Sequence, residues 1–133
     1  MTDRSVVIIV DDDDSMRRAA RRLIKTHGLP VDTFASADEF LASGRLQETG
    51  CLVLDVHMPG LSGLELQSHL AAASVAIPII FITAFANEIA RAQALQAGAF
   101  CYLIKPVEEG DLLDCIQRAL KQPDARCGGD QPT

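Results

Sequence analysis

VVIIVDDDD, Val6 to Asp14, runs five apolar residues directly into four carboxylates. A continuous apolar run of strand length suits a strand covered on both faces, as in a parallel sheet, better than a half-exposed strand, which would alternate. The same character returns at Cys51 to Leu54, Ile77 to Ile82 and Phe100 to Ile104. Val31 to Ala35 (VDTFA) is more mixed and reads as an edge strand.

Segments of helical period lie between these runs. In the first, Met16, Ala19, Ala20, Leu23, Ile24 and His27 form one stripe, and Arg17, Arg18, Arg21 and Lys25 face outward as a solvated surface. Asp14 or Ser15 can cap its start, and Gly28 followed by Pro30 stops it. Ser36 to Ser43 opens with Ser36 and Glu39 in capping-box spacing. Further helices are predicted at Gly63 to Ala72, Asn87 to Gln96 and Glu109 to Lys121, with Gly98 ending the fourth and Leu112, Leu113, Ile116 and Leu120 buried in the fifth. Strand and helix thus alternate five times, which predicts an α/β domain: a (βα)5 doubly wound parallel sheet with helices on both faces. The domain is expected to span residues 1–121, and residues 122–133 (QPDARCGGDQPT) read as a disordered tail or linker stub.

The 133 residues suit one domain, and 48% hydrophobic with 23% charged residues is the balance of a soluble globular protein. A net charge of −6 argues against direct nucleic-acid binding, since phosphate backbones reward clustered Lys and Arg. Cys51, Cys101, Cys115 and Cys127 show neither a CxxC pair nor zinc spacing, and read as small apolar residues in a reducing compartment. No signal peptide or membrane span is expected at the N-terminus, because VVIIV is followed at once by acids; the expected location is the cytoplasm.

In an open parallel α/β sheet, sites form outside the carboxyl ends of the strands. Asp11 and Asp12 follow the first run, Asp55 the third, Thr83 the fourth and Lys105 the fifth. Enough chain separates Asp12 from Asp55 for two helices and a strand, and about one α/β unit separates Asp55, Thr83 and Lys105 in turn. Two carboxylates about 5 Å apart at an effective dielectric near ~20 repel by roughly 3 kcal/mol, so a compensating cation is expected. An all-oxygen site suits Mg²⁺ first and Mn²⁺ second, with Asp12, Asp55 and a nearby backbone carbonyl as direct ligands. A carboxylate beside such an ion, a hydroxyl and an ammonium is equipped to accept a phosphoryl group.

With these residues in view, the chain resembles the response-regulator receiver family of two-component systems. The resemblance rests on VDDD at Val10 to Asp13, LDVHMPGLSGLEL at Leu54 to Leu66, ITA at Ile82 to Ala84 and GAFCYLIKP at Gly98 to Pro106, and spans nearly the whole chain. The wording around Asp55 and Lys105 is closest to regulators of the nitrogen-fixation type, which usually carry a DNA-binding domain after the receiver. The resemblance implies a flavodoxin-like fold with strand order 2-1-3-4-5. It implies that Asp55 is the phosphoacceptor and that Asp11, Asp12, Asp55 and the backbone carbonyl of His57 hold the metal. Thr83 and Lys105 match residues that contact the phosphoryl group, and Pro106 matches a proline usually preceded by a cis peptide bond. The implied partner is a sensor histidine kinase, and phosphorylation-dependent homodimerisation through the fourth helix and fifth strand is a family expectation. The protein is then a self-phosphorylating and autodephosphorylating switch, not a turnover enzyme.

Taken alone, Tyr102 reads as a half-buried aromatic with an exposed hydroxyl; the resemblance makes it a rotamer switch working with Thr83. Two positions depart from the commonest family pattern. Phe85 is bulky where many relatives are small or polar, and either shields the acyl phosphate or packs; Cys101 stands where relatives often have Asp. The alternative reading is a haloacid-dehalogenase-type Mg²⁺-dependent phosphatase, because Asp11, Asp13 and Ser15 loosely fit its D-x-D-x-[T/V] pattern. That reading leaves no room for a cap domain and leaves Leu54 to Leu66 unexplained.

Overall fold

The computed structural model describes residues 5–85 and 87–121. The reading of residues 122–133 as a tail or linker, like Cys127, lies outside the described residues. Eleven elements follow one another: β1 (Val6–Val10), α1 (Asp14–Thr26), β2 (Val31–Phe34), α2 (Ala37–Ala42), a 3₁₀ turn (Leu46–Glu48), β3 (Thr49–Asp55), α3 (Gly63–Ala72), β4 (Ile79–Thr83), α4 (Glu88–Gln96), β5 (Cys101–Ile104) and α5 (Glu109–Lys121). The five strands pair in parallel in the order β2-β1-β3-β4-β5.

Successive strand residues point to opposite faces, and here both faces are covered. Ile8, Val10, Leu52, Leu54 and Phe81 meet Phe40 of α2, Leu66 and Leu70 of α3 and Ala94 of α4 in one core. Val7, Ile9, Cys51, Val53, Ile80 and Ile82 meet Ala20 and Ile24 of α1 and Leu112, Ile116 and Ala119 of α5 in the other. The apolar runs are unbroken because each residue type has a core to enter, whichever way it points.

The ends of some elements differ from the expectation. Asp13, not Asp14 or Ser15, caps α1, its side chain accepting from the N–H groups of Ser15 and Met16. In a run of four acids each can cap, and the choice is made by the strand: Asp11 is drawn inward and its Oδ1 accepts from the Asp13 N–H at 2.9 Å. Arg17 does not face outward; its Nη1 donates to the backbone oxygen of Asp11 at 2.7 Å. Ala19 and His27 are exposed, so the buried stripe of α1 is narrower than its periodicity implied. At α2, Ser36 accepts from the Glu39 N–H, but Glu39 Oε1 turns to the Ala35 N–H instead of closing a box on Ser36. β4 begins at Ile79 instead of Ile77, and both Asp55 and Thr83 are the last residues of their strands. No helix among the described residues is long and apolar enough to cross a membrane.

Candidate functional site

The carboxyl ends of β1, β3, β4 and β5 bring the residues singled out above to one rim. Asp11, Asp12 and Asp55 each offer a carboxylate oxygen, all within 4.8 Å of one another. Lys105 reaches them from β5: its Nζ is 3.1 Å from Asp11 Oδ2 and 3.3 Å from Asp55 Oδ2. Asp11 and Asp55 are buried while Asp12 is exposed, so the cluster opens to solvent on one side. Thr83 is buried at the neighbouring strand end, where its Oγ1 accepts from the Phe85 N–H at 3.1 Å.

Local geometry fixes each group. β1 and β3 are neighbours in register, Val10 opposite Leu54, so their next residues emerge side by side. Asp55 Oδ1 accepts from the His57 N–H at 3.2 Å, which holds the carboxylate toward the rim. Lys105 is anchored by its own N–H, which donates to the Thr83 oxygen at 2.7 Å, and the Lys105–Pro106 bond is cis. Ser62 and Glu65 form a full capping box at the start of α3. Gly63 lets that helix approach β3 closely: a Cβ there would lie 2.3 Å from the backbone oxygen of Asp55 and 3.1 Å from Phe81 Cε1. No side chain larger than hydrogen fits without a shift.

Burial raises the pKa of Asp11, opposed by the Asp13 N–H and reinforced by the charge of Asp55, so that carboxyl sits above its ordinary range. Burial pulls the Lys105 ammonium down, but its close pairing with Asp11 and its hydrogen bond and charge attraction with Asp55 outweigh this and hold it above its usual value. The ammonium therefore stays charged and offsets part of the repulsion between the carboxylates.

The remaining negative charge faces an incomplete contact. Asp11 Oδ2 is buried and has no directed hydrogen bond among the described residues; the ammonium beside it makes an ion pair at 3.1 Å. A buried carboxylate oxygen with a free lone pair, next to two more carboxylates, is a fit for a hard divalent cation. The cluster can bind a metal ion.

Of the other singled-out residues, His57 has an exposed side chain at the rim, its ring edge-on to Phe85 with centroids 5.1 Å apart. Phe85 is itself 62% exposed and so does not pack into the core. Tyr102 lies away from the acids, against Phe81 at 6.2 Å and on the core side shared with α4. Its hydroxyl is buried and unpaired among the described residues, which corrects the expectation of an exposed one. Burial raises its pKa, with Glu88 adding to the rise and Arg91 opposing it. The sequence reading missed Gly63 and Arg17 as positioning residues. The signal for Gly63 was a glycine at the first position of a predicted helix that follows directly on the Asp55 strand end, where close helix–strand approach favours glycine.

Comparison with known proteins agrees with this geometry. Residues 7–117 match the response regulator receiver domain family. Nodulation protein W of Bradyrhizobium diazoefficiens is 43% identical over 100 residues, which is 75% of this chain and 44% of that protein. The solved structure of the response regulator StyR is 44% identical with a TM-score of 0.84, covering 95% of this chain and 64% of that one. That of FixJ-N is 33% identical with a TM-score of 0.80, covering 92% of this chain and 98% of that one. The chain spans about half the length of the curated relatives it matches. With the parallel sheet in the order 2-1-3-4-5 and the acids and lysine at its rim, the chain belongs to the response regulator receiver domain family, the phosphoacceptor module of two-component signalling.

Proposed function

We propose that this receiver takes a phosphoryl group onto Asp55 from a sensor histidine kinase and returns it to water by its own hydrolysis, acting as a switch and not as a turnover enzyme. The observation that carries this reading is the Lys105 ammonium held against both Asp11 and Asp55 beside a third carboxylate. A carboxylate oxygen of Asp55 attacks phosphorus, the bond from phosphorus to the donor's histidine nitrogen breaks, and the departing imidazole keeps the electron pair. Lys105 turns from Asp55 to a phosphoryl oxygen, and Thr83 Oγ1 donates to another. Asp11, Asp12 and Asp55, with the backbone carbonyl of His57, would hold Mg²⁺, or Mn²⁺ in its place, and the ion would supply positive charge to offset that of the phosphoryl group.

Output follows from Thr83. To reach the phosphoryl group it gives up the Phe85 N–H, which releases the segment leading into α4 and allows Tyr102 to repack with Thr83. The α4–β5–α5 face changes as a result. Ile89, 73% exposed, with Leu95 and Ile104 supports this face as the surface of a phosphorylation-dependent homodimer. The net charge of −6 supports a chain that does not itself bind nucleic acid, and the absence of a membrane-crossing helix among the described residues fits a cytoplasmic switch. The phosphatase alternative is weakened because Asp13, its second carboxylate, is occupied in capping α1.

Incubation with acetyl phosphate and Mg²⁺, followed by mass mapping, tests the reading. One acid-labile phosphate on Asp55 is expected, lost in Asp55→Asn and suppressed by EDTA. Label on Asp11, with multiple turnover, would instead favour the phosphatase.

A further inference from the structure

Away from the acid rim, two thiols meet. Cys101 begins β5, Cys115 lies in the middle of α5, and both face the core shared with α1. Their sulfurs are 2.8 Å apart, the Cys101 thiol donating a hydrogen bond to Cys115 Sγ, and both are free thiols. A bonded pair sits at about 2.05 Å, so closure needs only a small approach within one packed layer.

The surroundings distinguish this pair from buried structural cysteine. Cys51, on β3, faces the same core but is buried, and burial pushes its thiol well above the ordinary range. Cys101 is partly exposed on the edge strand, and Cys115 is buried beside it. Arg118, one turn along α5, lies over the Phe100 ring at 5.7 Å and points an Nη2 at Cys115 Sγ from 3.9 Å. Burial and the neighbouring Cys115 hold the Cys101 thiol pushed up to about 12, with Asp114 adding to the rise and Arg118 opposing it.

We propose that Cys101 and Cys115 are an oxidation site, at which hydrogen peroxide joins them in a reversible intramolecular disulfide that ties the start of β5 to α5. The Cys101 sulfur attacks one peroxide oxygen; the O–O bond breaks, leaving a sulfenic acid on Cys101 and releasing water. The Cys115 sulfur then attacks the Cys101 sulfur, the S–O bond breaks, and hydroxide leaves with the Cys115 proton as a second water. The two sulfurs together lose two electrons and the peroxide gains them. The link lies one residue before Tyr102, so oxidation fixes the strand on which that ring is carried. The inference does not depend on phosphorylation of Asp55.

The test is hydrogen peroxide treatment of the full chain, alkylation of remaining thiols, and peptide mapping. Trypsin leaves residues 92–118 whole, since Lys105 precedes Pro106, and both sulfurs travel in one peptide. That peptide is expected to be unalkylated and lighter by two hydrogens, and to stay joined after further cleavage at Glu108 and Glu109 until reductant is added. The same result is expected in Cys51→Ala/Cys127→Ser. Oxidation is expected to raise Tm by about 5–10 °C, as closing a loop of ~15 residues does, with no rise in Cys115→Ser. Free, alkylatable thiols at both positions after treatment overturn the proposal, as does a link to Cys127 or irreversible oxidation of Cys101 without a link.

Discussion

The ammonium of Lys105, carried by the last strand of the sheet, lies 3.1 Å from Oδ2 of Asp11, carried by the first in sequence. The same ammonium is 3.3 Å from Asp55, so one cation stands against two buried carboxylates. Replacing it with a neutral side chain leaves both charges facing each other. Removing one partner of a buried pair is far more damaging than never having had it.

Lys105→Met is therefore expected to lose on the order of 1–3 kcal/mol in urea denaturation at neutral pH without metal, at the low end because Asp11 can relieve the strain by taking up a proton. Phosphorylation by acetyl phosphate falls as well. Unchanged stability would mean that the ammonium is not neutralising the acids.

Mg²⁺ is expected to raise the thermal midpoint, since it binds the folded acid cluster and not the unfolded chain. At ten times its Kd the gain is about 1.4 kcal/mol, or roughly 5 °C for a domain of this size. Asp12→Ala removes an exposed carboxylate from the cluster. The variant should keep or slightly exceed the metal-free midpoint and lose the Mg²⁺-dependent rise, both read by differential scanning calorimetry.

Gly63→Ala places a methyl group 2.3 Å from the backbone oxygen of Asp55, and backbone cannot turn aside as a side chain can. A loss of about 1–3 kcal/mol is expected, with slower phosphorylation because α3 and the Asp55 end of β3 are forced apart. Gly110→Ala is the control: its added Cβ meets nothing within 4 Å. On helix propensity it should gain up to about 1 kcal/mol. Chemical denaturation of the two variants side by side separates a packing constraint from a general effect of glycine replacement.

Tyr102→Phe deletes a buried hydroxyl that has no partner among the described residues. The variant should be as stable as the parent or more stable by roughly 1 kcal/mol, because an unpaired polar group leaves the interior and no hydrogen bond goes with it. A clear loss of stability would show that the hydroxyl is satisfied in solution.

Most of the fold could be read from the strands. β1, β3 and β4 sit between two cores, so Val6–Val10, 51–54 and 79–82 are unbroken apolar runs, the pattern of a strand covered on both faces. The rim residues could be read for a related reason: a charge directly after such a run has nowhere to stand but the sheet's carboxyl end. Contacts decided in three dimensions could not. Four consecutive acids at Asp11 to Asp14 can each cap a helix, and only the inward pull on Asp11 selects Asp13. Arg17 looks like any other arginine on a helix face until the Asp11 oxygen is within its reach. The Cys101–Cys115 contact joins a strand to a helix with no spacing rule to announce it.

The strand order leaves Lys105 with a long way to go. Three strand spacings of about 4.8 Å separate the backbones of β1 and β5, some ~14 Å that a lysine and an aspartate bridge only when extended toward each other. The side chain thus behaves as a taut stay running from the rim of the sheet to its middle. A fresh negative group on Asp55 would shift where that stay is fastened, and the pull on the end of the edge strand would change with it.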